Sequence, residues 1–187
     1  MVAWVVTLLV IGTCPACTSV ERDEGTPALP RKLADTTVGW SLRYPGAWSA
    51  RGRVAATAFA AGARCRSAIV VDDPSAGATG PVGTELRTFV QVCARRRTDR
   101  LTLERSLRET YGSAFAAQFE ETRLGGRPAF RTRRSTPALV FVQTGGFRIQ
   151  LASSVSTESR LRAKRRSEVA AVLRSFELGE PRGEGSR

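Results

Sequence analysis

Histidine is absent from all 187 residues of this chain. Its absence removes the side chain that most often acts as a general base at neutral pH, and the commonest metal ligand with it. Ser-His-Asp and Cys-His nucleophilic arrangements and histidine zinc sites are therefore excluded. Lysine is almost missing too: of 29 basic residues only Lys32 and Lys164 are lysines, and the rest are arginines. Aromatic residues make up 7%, so the core has to be assembled mainly from Val, Leu and Ala with a few Phe. No apolar run reaches the ~20 residues of a membrane span. Against these absences stand a hydrophobic fraction of 42% and a formal charge of +12. The first is enough for the core of one domain with terminal extensions. The second gives a salt-sensitive preference for anionic surfaces.

The N-terminal residues VAWVVTLLVIG, 2–12, form an uncharged apolar run. A run of ~7–15 such residues followed by small ones is the core of a secretory signal. The next residues, GTCPACTS, place Ala16 before Cys17 and Thr18 and Ser19 after it. This resembles a bacterial lipobox, in which cleavage exposes a cysteine whose sulfur carries a diacylglyceryl, palmitate-type anchor. The match departs from the usual pattern at Cys14 and Pro15, and no Lys or Arg stands before Glu21. Cys14 is the alternative anchor, with Thr13 before it. The expectation is an exported chain, held at the outer face of the cytoplasmic membrane by Cys17 or otherwise secreted. In an oxidising compartment the remaining pair, Cys65 and Cys93, is a disulfide candidate; two separate buried thiols are the alternative.

Residues 18–34 are polar with two prolines and read as a tether. This divides the chain into a signal segment, 1–16; a lipidated cysteine and tether, 17–34; a folded domain, 35–178; and a polar tail, 179–187. Within the domain, VGWSLRYPGAWSA alternates with a period of two: Trp40, Leu42 and Tyr44 on one face, Ser41 and Arg43 on the other. Pro45 ends the ladder, and Trp48 folds back on the core. Further strands are expected at 54–60, 67–72 and 88–94. Leu103, Leu107, Tyr111 and Phe115 recur every four residues and predict a helix over 101–119, weakened by about 1 kcal/mol at Gly112. Gly125-Gly126 and Gly145-Gly146 each sit between strand-like segments and predict two-residue hairpins with positive φ. In the last of those strands Phe147, Ile149 and Leu151 face the core while Arg148 and Gln150 face out. A second helix follows, with Ser156 or Thr157 as N-cap, Glu158 in its first turn, and Leu161, Val169, Val172, Leu173 and Phe176 as its buried stripe. The fold class is α+β, an antiparallel sheet with two main amphipathic helices.

The landmarks YPGAW (44–48), LGGRPAFR (124–131), GGFRIQLASS (145–154) and VAAVLRSFEL (169–178) occur in an order that resembles the PsbP-like superfamily. That group includes small actinobacterial envelope lipoproteins of the LpqN type. The resemblance implies an α/β/α sandwich around a central antiparallel sheet. It carries no shared catalytic residues, and it implies accessory or binding modules.

Few motifs carry chemistry. Asp72-Asp73 before Pro74 reads as a turn cap, because a calcium site needs six to eight oxygens and no spaced acidic loop follows. The Gly/Ser loop after it lacks the GK[ST] ending of a phosphate loop. Arginines cluster at Arg95, Arg96, Arg97 and Arg100, at Arg131, Arg133 and Arg134, and at Arg160, Arg162, Arg165 and Arg166 with Lys164. Of these, Arg131, Arg133, Arg162, Arg165 and Arg166 are the candidate contacts to an anionic lipid surface. A solvated arginine-rich face is the plainer reading. The expectation is a non-enzymatic envelope lipoprotein with no catalytic residues, no metal and no cofactor. It docks an envelope protein partner, with no nucleic-acid role. The alternative is a carrier of lipid or of a small apolar ligand in a pocket between sheet and helix.

Overall fold

The computed structural model describes residues 26–52, 65–72, 88–155 and 162–179. The expectations for Cys14, Cys17, the strand at 54–60, Asp73 and the glycine-rich loop, residues 156–161 and the tail beyond Gly179 lie outside the described residues. In chain order the elements are β1 (Arg31–Asp35), β2 (Trp40–Tyr44), β3 (Ser49–Gly52), β4 (Arg66–Val71), β5 (Phe89–Arg96), α1 (Leu103–Tyr111) and α2 (Phe115–Gln118). They continue with β6 (Phe119–Leu124), β7 (Arg127–Thr132), β8 (Ala138–Gln143), β9 (Phe147–Ser154), α3 (Arg162–Arg174) and β10 (Glu177–Leu178).

Seven strands form one antiparallel sheet in the order β3-β4-β5-β9-β8-β7-β6, and β1-β2-β10 form a second, smaller one. Strand alternation splits the large sheet into two faces. From one face Val70, Val90, Val92, Ala129, Val142, Ile149 and Leu151 join Trp40, Leu42 and Tyr44 of β2 and Val169 and Val172 of α3 in the main core. From the other face Phe130 and Phe141 meet Leu103 and Leu107 of α1, Phe115 of α2 and Phe119 in a second core. The result is the expected antiparallel α+β sandwich, with the small sheet sharing a layer with α3. β1 corrects the tether boundary: most of Arg31–Asp35 falls within the segment read as tether, yet it pairs in register with β2, and Arg31 Nη1 donates to the Trp48 carbonyl at 3.3 Å. Polar residues can take that place because β1 needs only ladder hydrogen bonds and one inward side chain, Leu33.

Local chemistry sets the element ends. The Thr102 hydroxyl caps α1 by accepting from the Arg105 N–H at 3.2 Å. Glu104–Arg108 and Arg105–Glu109 pair one turn apart along it. The single helix expected over 101–119 is broken at Gly112, whose φ of 56° takes the chain out of the α region into a 3-10 turn before α2. The two hairpin turns differ. Gly125 and Gly126, at φ 55° and 77°, make the expected two-residue turn between β6 and β7. Between β8 and β9 the turn also carries two glycines, but neither is left-handed. There the Thr144 hydroxyl accepts from the Phe147 N–H at 3.1 Å, and the Thr144 carbonyl accepts from Arg97 at 3.4 Å. In the second helix the buried residues are Glu168, Val169, Ala171 and Val172, while Phe176 lies beyond its end against Trp40.

Candidate functional site

The arginines named as anionic-surface contacts fall into two groups. Arg131 and Arg133 on and beyond β7 both pair with Glu120 across the hairpin. Arg165 lies half-buried on α3, with Nε 2.9 Å from Asp72 and Nη1 2.8 Å from Glu168. Its charge ties α3 to the end of β4, and so Arg165 is not presented to a surface. Arg162 and Arg166 are the rest of the helical group. Arg162 is exposed, as is Lys164, and no anion meets Arg162, Lys164 or Arg166 among the described residues.

A concave site lies on the opposite side of the sheet, beneath α1. It is a cavity of about 310 Å³ whose walls come from α1, β5, β8 and β9. Periodicity of the helix builds one wall: Leu103, Leu107 and Tyr111 form an apolar row, and Ser106 and Thr110 form a hydroxyl row beside it. The Thr110 hydroxyl is turned to its own helix, donating to the Ser106 carbonyl at 2.8 Å. Sheet register builds the other wall. Cys93 of β5 stands opposite Gln150 of β9, and Gln150 stands opposite Phe141 of β8. Two residues along, nearer the mouth, Arg95 stands opposite Arg148.

Two like charges side by side on adjacent strands repel, and Asp99 relieves one of them. Arg148 donates to its two carboxylate oxygens at 2.6 and 3.0 Å, and to the Gln143 side chain at 3.3 Å. That hydrogen bond from Arg148 holds the Asp99 carboxyl below its ordinary pKa, despite an opposing contribution from desolvation. Arg95 is exposed and meets no acceptor among the described residues. Deeper in, the Gln150 Nε2 group is buried with no hydrogen-bond partner. Four other buried polar atoms share that condition among the described residues, but none belongs to a residue lining this cavity.

Cys65 and Cys93 are joined as a disulfide, with Cα atoms 5.7 Å apart, and both line the cavity. The pairing was open to sequence reasoning; its place at a pocket was not. Alternation along β9 turns Arg148 and Gln150 away from the main core, as expected, but into a second layer rather than into water. Among the described residues no three Cys, Asp or Glu side chains converge as a metal site would require, and no helix is long and apolar enough to cross a membrane.

Scanned against protein-family models the chain matches none, and it matches no curated protein. Among solved structures it is similar to the solution structure of cyanobacterial PsbP (CyanoP) from Synechocystis sp. PCC 6803, at 13% identity and a TM-score of 0.44, over 90% of this chain and 99% of that one.

Proposed function

We propose that this chain is an exported, membrane-tethered, non-enzymatic binding protein of the PsbP-like, LpqN-type kind, and that it binds a small apolar ligand in the cavity beneath α1. The cavity carries this reading: it is concave, walled by rigid elements, and sets an apolar row from α1 and β8 beside polar and charged side chains of α1, β5 and β9, as sites for small amphiphiles do. Its volume lies at the small end of the ~300–1,000 Å³ usual for such sites. The Cys65–Cys93 disulfide supports export, because such bonds persist in oxidising compartments. Cys17 is the proposed anchor.

A protein partner is the second reading, supported by Arg162 and Arg166, exposed and one turn apart on α3, a cationic pair suited to an acidic surface. Native mass spectrometry of the protein taken gently from its own envelope separates the two. A small co-purifying mass supports the ligand reading; a second protein chain with no small mass supports the partner reading. A diacylglyceryl group on a chain beginning at Cys17 supports the anchor, and an unmodified full-length chain overturns export.

A further inference from the structure

The cavity's polar groups are not neutral in what they select. One wall of it is apolar, from Leu103 and Leu107 to Phe141, and offers a place for a hydrocarbon segment. At its mouth Arg95, Arg96 and Arg148 stand with one carboxylate, Asp99, which is already taken by Arg148 in a two-pronged pair; of the other two, Arg95 is the one on the Cys93 side of β5, opposite Arg148. Arg95 is left over as a cation with donors and no acceptor among the described residues. Gln150 adds a buried N–H₂ with no acceptor. Arg95 and Gln150 are thus donors without an acceptor among the described residues, one of them charged.

We infer that the cavity binds a small carboxylate amphiphile, its head on Arg95 and its apolar tail along the α1 wall. This deepens the ligand-binding reading above and rests on it. Asp99 on Arg148 is the internal precedent: the rim already holds one carboxylate in a planar, charge-assisted geometry. At ~30 Å³ for each water-sized group the volume has room for a chain of about eight to ten methylene-sized units, so the tail is short or folded. An aliphatic or aryl monocarboxylate fits, whereas a two-chain phospholipid does not.

The test is an NMR titration of the full oxidised chain with sodium octanoate, 1-octanol and octyltrimethylammonium chloride, following backbone amides. Octanoate is expected to give saturable shifts confined to Leu103–Tyr111 and the strands around Gln150. It should bind about tenfold more tightly than octanol, the effect of one charge-assisted hydrogen bond, and the ammonium should bind weakest. Arg95→Gln, a change at an exposed position that leaves the fold intact, should bring octanoate down to the affinity of octanol without altering octanol itself. Equal binding of octanoate and octanol, unchanged by Arg95→Gln, would overturn the carboxylate inference while leaving the apolar site standing. Octanoate shifts centred on Arg162 and Arg166 would also overturn it. Absence of saturable shifts with any of the three overturns both this inference and the ligand-binding reading.

Discussion

Glu168 is only 7% exposed, deep enough that its charge needs a fixed counter-ion. Arg165 supplies one, and it serves Asp72 as well. Arg165→Ala removes the cation that both carboxylates share in a half-dry setting, and we expect a loss of about 3 kcal/mol in urea unfolding. Arg166→Ala, one residue on and without an ion-pair partner among the described residues, should stay within about 0.5 kcal/mol of the parent. Within the run RLRAKRRSE only Glu168, three residues on from Arg165, sets that arginine apart, and the other half of the difference lies in Asp72, far away in sequence. Asp99 offers a pH test. Its carboxyl is held low in the folded chain, so the stability it contributes is present above the unfolded carboxylate range and is lost as pH falls through the lowered value. Arg148→Gln should move the Asp99 titration, read by NMR, back up toward the ordinary carboxylate value. The glycines divide similarly. A Cβ on Gly125 would adopt φ 55° and meet Leu178 at 3.1 Å, so Gly125→Ala should cost about 1–2 kcal/mol in thermal unfolding. Gly145→Ala meets nothing within 4 Å and should be near neutral.

At the level of elements, alternation was legible and its meaning was not. The pattern of β9 correctly put Ile149 and Leu151 into the core, and equally correctly put Arg148 and Gln150 on the other side. A period of two says that faces differ; it cannot say whether the second face meets water or another layer. The helix reading fails at Gly112 for a related reason. The four-residue stripe continues through Phe115 and so hides the break, since the 3-10 turn still delivers Phe115 to Phe119 and Phe130, with ring centroids 5.4 Å apart in both pairs. β1 escapes a sequence reading because a strand at the edge of a small sheet needs little hydrophobicity. Its contribution can be measured by comparing chains that begin at Thr26 and at Thr36. The shorter one loses the β1 ladder and Leu33 and uncovers one edge of β2, so its melting temperature should drop by several degrees.

Across the whole molecule, the sheet is a partition between two cores. The main one contains β2, α3 and most of the aliphatic residues, and the second contains α1, four of the phenylalanines and the cavity. The disulfide joins the start of β4 to β5 on the cavity side. Closing a loop across 28 residues of sequence separation stabilises the fold by about 3.5 kcal/mol in the chain-entropy account. Reduction or a Cys65→Ser/Cys93→Ser pair should lower the urea midpoint accordingly. It should also loosen one wall of the cavity, so octanoate affinity should fall in the same samples.

The partition also sorts the chromophores. Trp40 and Trp48 are 3% and 1% exposed, and both belong to the main core. Neither lines the cavity, where the one residue with a phenol is Tyr111. Indole emission from these two side chains is thus a built-in gauge of global unfolding that should stay silent when the cavity fills. In a Tyr44→Phe background, which removes the tyrosine of the main core, a tyrosine signal that changes while the tryptophans do not would mark events on the α1 side of the sheet alone.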